Sequence, residues 1–98
     1  MQQKVIITGA GGQLGRELLR TAPGDWECVA AQRSQLDIGD EEQVRALIAR
    51  TAPALVINAA AYTAVDQAES EPEQAQRINA DGAGHLATAC RDSGARFI

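Results

Sequence analysis

A run of glycines between an apolar segment and an amphipathic segment constrains the fold of this chain more than any other feature. Residues 4–8 read KVIIT, and residues 8–15 read TGAGGQLG. A β-branched run without polar alternation is typical of a parallel strand that is buried on both faces. The glycines that end this run allow a tight turn into a helix over 13–21. The sequence therefore predicts a strand, a glycine turn and a helix in direct succession.

Three of these glycines are expected to have distinct tasks. Gly9 lets the chain turn sharply at the end of the strand, and Gly15 lets the helix pack close to the sheet. Gly12 leaves room where a pyrophosphate would approach the first turn of the helix, whose free N–H groups and positive dipole end attract anions. A merely flexible glycine loop is the alternative. The position of the glycines between a strand and a helix favours dinucleotide binding.

Strands and helices alternate along the remainder of the chain. We predict a strand over 26–31, a helix capped by Asp40, a strand over 54–58, and a long helix over 71–92 that Gly94 ends. Strands that alternate with helices indicate an α/β fold, a doubly wound parallel sheet of the Rossmann type with strand order 3-2-1-4. The final residues resemble a strand that is only beginning. We therefore expect 1–98 to be the amino-terminal portion of an NAD(P)-binding domain, truncated in its fourth strand.

Apolar residues recur at helical spacing, which predicts one buried face for each helix. In the first helix, Leu14, Leu18 and Leu19 are expected to face inward. The expected inner stripes of the two later helices are Val44, Leu47, Ile48 and Thr51, and then Ala75, Ile78, Gly82, Leu86 and Ala89.

Composition argues against several classes of protein. With 13 acidic and 9 basic residues and a net charge of −4, the chain offers little to a nucleic-acid backbone. It has no apolar run long enough to cross a bilayer and no secretion signal, so we expect a cytoplasmic protein without a membrane partner. Cys28 and Cys90 are too far apart for a metal-binding motif, and we expect two small buried thiols.

The glycine spacing also carries a resemblance. Because position 14 is leucine, the pattern is Gly-x-x-Gly-x-x-Gly, which is similar to the cofactor loop of extended short-chain dehydrogenases/reductases. The continuation GQLGxEL over 12–18 resembles more specifically the dTDP-4-dehydrorhamnose reductase group of that family. Three further segments resemble the same group: LDIxD over 36–40, NAAAYTAVDQAE over 58–69 and AxxIN over 75–79. The resemblance spans essentially the whole chain.

This resemblance implies an oxidoreductase that reduces the 4-keto group of dTDP-4-dehydro-L-rhamnose with NADPH, giving dTDP-L-rhamnose. The family's catalytic Ser/Thr, Tyr and Lys would follow residue 98, so we expect no catalytic residue within the chain and no activity from the chain alone. Another sugar-nucleotide reductase or epimerase of the extended family is an alternative. A non-catalytic regulatory relative is a second one. A homodimer is a possible assembly for members of this group.

The resemblance also assigns roles around the cofactor. It implies that Asp37 accepts a hydrogen bond from the adenine amino group and that Ile38 supplies an apolar wall. For Asp37 alone, a solvated loop acid or a residue at a helix entry is the alternative. Gln32 stands where NAD-specific enzymes carry an acid, and Arg33 could pair with a 2′-phosphate, which favours NADPH while leaving NADH possible. An exposed arginine on a loop is the alternative for Arg33. The predicted cofactor-binding residues are Gly9, Gly12, Gln13, Leu14, Gly15, Gln32, Arg33, Asp37, Ile38, Ala61, Tyr62 and Thr63.

Three polar residues outside this set need separate interpretation. Glu17 matches a position at which some members of the group bind Mg²⁺ at a dimer interface, although a solvated charge is the alternative. The resemblance implies that Asn79 braces the neighbouring strand and the site, and both a structural and a catalytic role are open. His85, the single histidine, is expected at the surface or at an edge, without a role in nucleophilic catalysis.

Overall fold

The computed structural model describes residues 3–32, 35–59 and 81–98. These residues form four strands and three helices. In chain order they are β1 (Gln3–Thr8), α1 (Gln13–Thr21), β2 (Trp26–Ala31), α2 (Glu41–Thr51), β3 (Leu55–Asn58), α3 (Ala83–Ser93) and β4 (Arg96–Phe97). The predicted bounds of α1 and β2 are confirmed, and those of β1 and β3 differ from the prediction by one residue at the amino end.

The four strands form one parallel sheet in the order β2-β1-β3-β4. The predicted order 3-2-1-4 is wrong, because it placed the third strand beyond β2. In the structure the chain returns through α2, and β3 pairs with β1 on the side away from β2. The order 2-1-3-4 belongs to the other common doubly wound arrangement, so the fold class is confirmed. The chain passes from β1 to β2 on one side and from β3 to β4 on the other, so the switch point lies between β1 and β3.

Helices cover both faces of this sheet, because successive side chains of a strand point to opposite sides. Val5 and Ile7 of β1 pack towards α1, in a cluster that includes Leu18 and Leu19. Ile6 packs in the second cluster, which α2 and α3 cover. The buried members of that second cluster are Ile6, Ala31, Leu36, Ile38, Val44, Ile48, Val56, Leu86, Ala89 and Cys90.

Two predicted helix ends are confirmed by their hydrogen bonds. The carboxylate of Asp40 accepts from the N–H groups of Glu42 and Gln43, at 3.0 and 3.3 Å, which caps the first turn of α2. Gly94 ends α3 in the left-handed region, with φ +82°, and its N–H donates to the carbonyl of Cys90.

The inner stripes of α2 and of the described part of α3 are also confirmed, but the inner face of α1 differs from the prediction. Leu14 is 41% exposed, so its inward placement was wrong. The buried face of α1 runs instead through Gly15, Leu18 and Leu19, which are spaced i, i+3 and i+4.

The two thiols also differ from each other. Cys90 is buried as predicted, but Cys28 is only half-buried, because it lies on β2 at the edge of the sheet. Neither forms a disulfide. Within the described ranges, no helix has the length and apolar character needed to cross a membrane.

Candidate functional site

The carboxyl ends of three neighbouring strands meet at one edge of the sheet. Thr8, the last residue of β1, lies opposite Ala31 of β2 and opposite Asn58 of β3. The loops that begin at Gly9 and Gln32 therefore leave the sheet side by side. In doubly wound sheets, ligands bind outside this edge, at the point where the strand order reverses.

The turn after β1 depends on the left-handed backbone of Gly9, whose φ is +63°. The N–H of Gly12 donates to the carbonyl of Gly9 at 3.0 Å and closes the turn. The N–H of Ala10 lies 3.5 Å from the carbonyl of Ala31, which connects the turn to the end of β2. A residue with a side chain rarely adopts such a φ, so the predicted task of Gly9 is confirmed.

Gly15 allows α1 to approach the glycine turn. A Cβ at this position would lie 2.6 Å from the Cα of Ala10 and 2.6 Å from the carbonyl oxygen of Gly9. The prediction of a close approach is confirmed, although the nearest atoms belong to the turn and not to the strands. Gly12 has φ −80°, which any residue can adopt, so its predicted task of leaving room for a ligand stays a prediction.

The amino end of α1 fits an anion. Gly12 is the N-cap residue and provides no side-chain acceptor, and the first turn contains no acidic residue. The N–H groups of the first turn have no partner within a helix, and the helix dipole places positive potential there. Gln13 and Leu14, two of the predicted cofactor residues, are exposed at this end.

Gln32 lies against the glycine turn. A Cβ built on Gly11 would be 3.4 Å from the side-chain Cδ of Gln32, so these two residues are close neighbours. The backbone of Gln32 is held by its own loop, because its carbonyl accepts from the N–H groups of Gln35 and Leu36 at 2.8 and 2.9 Å. The structure thus brings Gln32 to the site that the sequence predicts for it.

Asp37 and Ile38 point in opposite directions. Asp37 is exposed, and its Oδ1 accepts from the N–H of Gly39 at 2.9 Å. Ile38 is only 5% exposed and packs in the cluster beneath α2 and α3. The carboxylate of Asp37 is therefore accessible to a ligand, whereas most of the Ile38 side chain is committed to the core.

His85 lies at the edge of the buried face of α3, as predicted, but it makes a long-range contact that the sequence does not indicate. It is half-buried, and its Nδ1 lies 3.0 Å from the carbonyl oxygen of Ile38, 47 positions earlier in the chain. Thr8 and Asn58, which contact each other at the switch point, were also absent from the predicted site. Their signal in the sequence is a polar residue at the end of an otherwise apolar strand.

Glu17 is engaged with a neighbour on α1. Its carboxylate forms an exposed ion pair with Arg20, and this hydrogen bond raises the pKa of the Arg20 guanidinium. No group of three or more His, Cys, Asp and Glu side chains suited to a metal ion occurs among the described residues. The described structure therefore gives no support to the Mg²⁺ role predicted for Glu17.

Several other predictions lie outside the described residues. Four of the predicted cofactor-binding residues lie there, namely Arg33, Ala61, Tyr62 and Thr63, and so does Asn79.

Comparisons with known proteins agree with the resemblance seen in the sequence. The chain is 50% identical over 94 residues to dTDP-4-dehydrorhamnose reductase of Streptomyces griseus, covering 95% of this chain and 31% of that protein. It is also 50% identical over 91 residues to the enzyme of the same name from Mycolicibacterium smegmatis, covering 92% of this chain and 27% of that one. The chain thus spans about a third of the length of these relatives.

Among solved structures, dTDP-4-dehydrorhamnose reductase from Bacillus anthracis in complex with NADP is similar, with a TM-score of 0.88 and 41% identity. That match covers 99% of this chain and 35% of the other. The family model described as RmlD substrate binding domain matches residues 3–98. Because this match extends over nearly the whole chain, the protein belongs to the RmlD substrate binding domain family.

Proposed function

We propose that this chain is the cofactor-binding, amino-terminal portion of a dTDP-4-dehydrorhamnose reductase, and that it binds NADPH at the carboxyl edge of its sheet. The observation that carries the proposal is the position of Gln32 against the glycine turn, beside the uncapped amino end of α1. The relative from Bacillus anthracis, which is 41% identical, was solved in complex with NADP.

The residues present fit a dinucleotide. The first turn of α1 offers N–H groups for a pyrophosphate, and the absence of an acid from that turn avoids repulsion. Gln32 is uncharged, so it does not oppose a 2′-phosphate in the way that an acid at this position would. The exposed carboxylate of Asp37 is suited to accept from an adenine amino group. Exposed Leu14 offers an apolar contact beside the turn.

When bound, the reduced nicotinamide would supply a hydride for reduction of a sugar carbonyl. The residues of this chain would bind and orient the dinucleotide. In the remaining two-thirds of such a protein, we expect the family's Ser/Thr, Tyr and Lys to transfer the proton and the sugar-nucleotide site to form. The full protein would then reduce dTDP-4-dehydro-L-rhamnose to dTDP-L-rhamnose. A homodimer and a cytoplasmic location stay predictions.

A charge reversal at the 2′-phosphate position tests cofactor binding. Gln32→Glu should weaken NADPH binding about tenfold or more and leave NADH binding nearly unchanged, because only NADPH would bring a phosphate close to the new carboxylate. The measurement is calorimetric titration of the expressed chain with each dinucleotide. Gln3→Glu is the matched control, since it adds the same charge at the exposed amino end of β1, on the opposite edge of the sheet. An unchanged preference in Gln32→Glu, or no binding of either dinucleotide by the parent chain, would contradict the proposal.

A chimera tests the reaction. Residues 1–98 would replace the matching portion of the Streptomyces griseus relative, and oxidation of NADPH would be followed with dTDP-4-dehydro-L-rhamnose as the substrate. We expect turnover that depends on both compounds. If the chimera folds and binds the sugar nucleotide but does not oxidise NADPH, this chain does not supply a working cofactor site. That result would favour the non-catalytic regulatory relative.

A further inference from the structure

The loop that carries Asp37 is attached on one side to α2. The N–H of Asp37 donates to Oε1 of Gln43 at 3.1 Å, and the carbonyl of Asp37 accepts from the N–H of Asp40 at 2.9 Å. Since Oδ1 of Asp37 also accepts from Gly39, both backbone groups and one carboxylate oxygen of Asp37 are engaged locally. These bonds set the shape of the loop, but all of them come from residues 37–43.

The same loop is attached on its other side to α3, through Ile38. The carbonyl oxygen of Ile38 lies 3.0 Å from Nδ1 of His85. A carbonyl oxygen can only accept, so the ring nitrogen donates, and this contact requires a proton on Nδ1. A long-range hydrogen bond therefore joins the loop to a helix that begins more than 40 residues later.

The side chain of Ile38 is held by the same part of α3. A Cβ at Gly82 would lie 2.5 Å from both Cδ1 and Cγ1 of Ile38, so the absence of a side chain at Gly82 makes the space that Ile38 fills. Gly82 and His85 are three residues apart, which places them on one face of the helix and its N-cap. One face of α3 thus holds both the side chain and the carbonyl group of one residue.

Fixing Ile38 also fixes the direction of Asp37. Leu36 and Ile38 are each 5% exposed, and Asp37 between them is exposed. Both neighbours of Asp37 are buried in the core, so the Asp37 side chain between them is left on the solvent side of the loop. If Ile38 were released from α3, the loop could rotate and the carboxylate of Asp37 would no longer be held towards the ligand.

We infer that His85 is a positioning residue for the adenine half of the cofactor site: it holds the carbonyl of Ile38 and thereby keeps the Asp37 carboxylate directed outward. The inference rests on the proposed function, because it assumes that Asp37 meets the adenine. It assigns a binding task to a helix that the predicted cofactor residues do not include. It also explains why the single histidine of the chain is half-buried and faces a backbone carbonyl.

Two fragments of the cofactor separate positioning from general stability. Adenosine 2′,5′-bisphosphate represents the adenine half, and nicotinamide mononucleotide represents the other half. In the expressed chain, His85→Leu should weaken the adenine fragment about three- to tenfold, the range expected for one lost hydrogen bond, and leave the nicotinamide fragment unchanged. Ser93→Ala is the control, because the Ser93 hydroxyl donates to the carbonyl of Cys90 within α3, and its loss should change neither affinity.

Two polar variants keep the test decisive if His85→Leu folds poorly. His85→Asn places an amide donor the same number of bonds from Cα as Nδ1 and should restore the affinity for the adenine fragment. His85→Gln places its donor one bond further and should not. Equal affinity in these two variants, or an equal loss for both fragments, would overturn the positioning role. If the parent chain binds neither fragment, the proposed function itself is wrong. If the parent chain binds the adenine fragment and His85→Leu binds it equally well, only the positioning role of His85 is wrong.

Discussion

The hydroxyl of Thr8 donates a hydrogen bond to the side-chain oxygen of Asn58, with 2.8 Å between Oγ1 and Oδ1. The two residues lie opposite each other at the ends of β1 and β3, and Thr8 is only 1% exposed. The bond therefore joins the two strands at the point where the order of the sheet reverses. It fixes the relative positions of the carboxyl ends of β1 and β3, at the edge of the sheet outside which a ligand would bind.

Removal of this hydroxyl should destabilise the protein. Thr8→Val keeps the shape of the side chain but leaves the Asn58 oxygen without its donor, and we expect a loss of about 1–3 kcal/mol in the free energy of unfolding. Urea denaturation measures this loss. Thr21→Val is the matched control, because the Thr21 hydroxyl donates to the carbonyl of Glu17 within an exposed helix end, and its loss should cost less than about 0.5 kcal/mol. If both variants lost the same free energy of unfolding, the bond between Thr8 and Asn58 would contribute no more to stability than an exposed helix-end bond.

Local features of this chain were predictable because they depend on neighbouring residues. The capping carboxylate of Asp40, the left-handed end at Gly94 and the turn at Gly9 each follow from one residue type in one backbone conformation. The order of the strands was not predictable in the same way. Both doubly wound orders use the same apolar strands, and nothing within β3 indicates whether it pairs with β1 or with β2.

Long-range contacts explain the remaining differences. Helical spacing gave Leu14 an inward direction, but the close approach of Gly15 to the backbone of Ala10 centres the buried face elsewhere. His85 contacts Ile38 across 47 positions, and no local pattern connects these residues. The described site therefore combines a glycine turn that the local sequence specifies with long-range contacts that form only in the folded chain.

Two helical glycines should respond in opposite ways to the same substitution. Gly15→Ala places a methyl group 2.6 Å from backbone atoms of the glycine turn, which cannot move without distorting it, and should cost about 2 kcal/mol or more. Gly84→Ala meets no atom within 4 Å on α3 and should stabilise the helix by about 0.5–1 kcal/mol. Thermal unfolding of both variants checks the pair. A stable Gly15→Ala variant would contradict the close approach.

Substitutions of Asp37 and Asp40 should affect NADPH affinity and the free energy of unfolding to different extents. Asp40→Ala removes the acceptor for two N–H groups of α2 and should lower the free energy of unfolding by about 1 kcal/mol, with little effect on NADPH affinity. Asp37→Ala should have the reverse profile, weakening NADPH about tenfold or more with a smaller change in stability. Urea denaturation and calorimetric titration of both variants provide the comparison. If Asp40→Ala weakened NADPH as much as Asp37→Ala, direct contact by Asp37 would not be needed to explain either result.

The two thiols should react with a maleimide at different rates. Cys28 is half-buried on the edge strand, whereas Cys90 is 1% exposed on the inner face of α3. Reagents reach and deprotonate an exposed thiol more readily, so Cys28→Ala should leave a slowly reacting chain and Cys90→Ala a rapidly reacting one. Mass spectrometry of timed samples measures both rates. The difference should vanish in urea, and similar rates in the native chain would contradict the burial of Cys90.

Burial of Cys90 should also make the protein less stable in alkaline solution. Loss of solvent raises the pKa of the Cys90 thiol above its ordinary value of 9.0, because the thiolate is the form that burial disfavours. Well below pH 9.0 the thiol is protonated in both states, and its contribution to stability is fully present. As the pH rises above this value, the unfolded chain releases the proton while the folded chain retains it, so the free energy of unfolding falls.

Cys90→Ala should therefore lose less stability than the parent between about pH 8 and about pH 10, whatever its stability at neutral pH. Urea denaturation across this range measures both slopes, and parallel slopes would show that the Cys90 thiol ionises alike in the folded and unfolded chains.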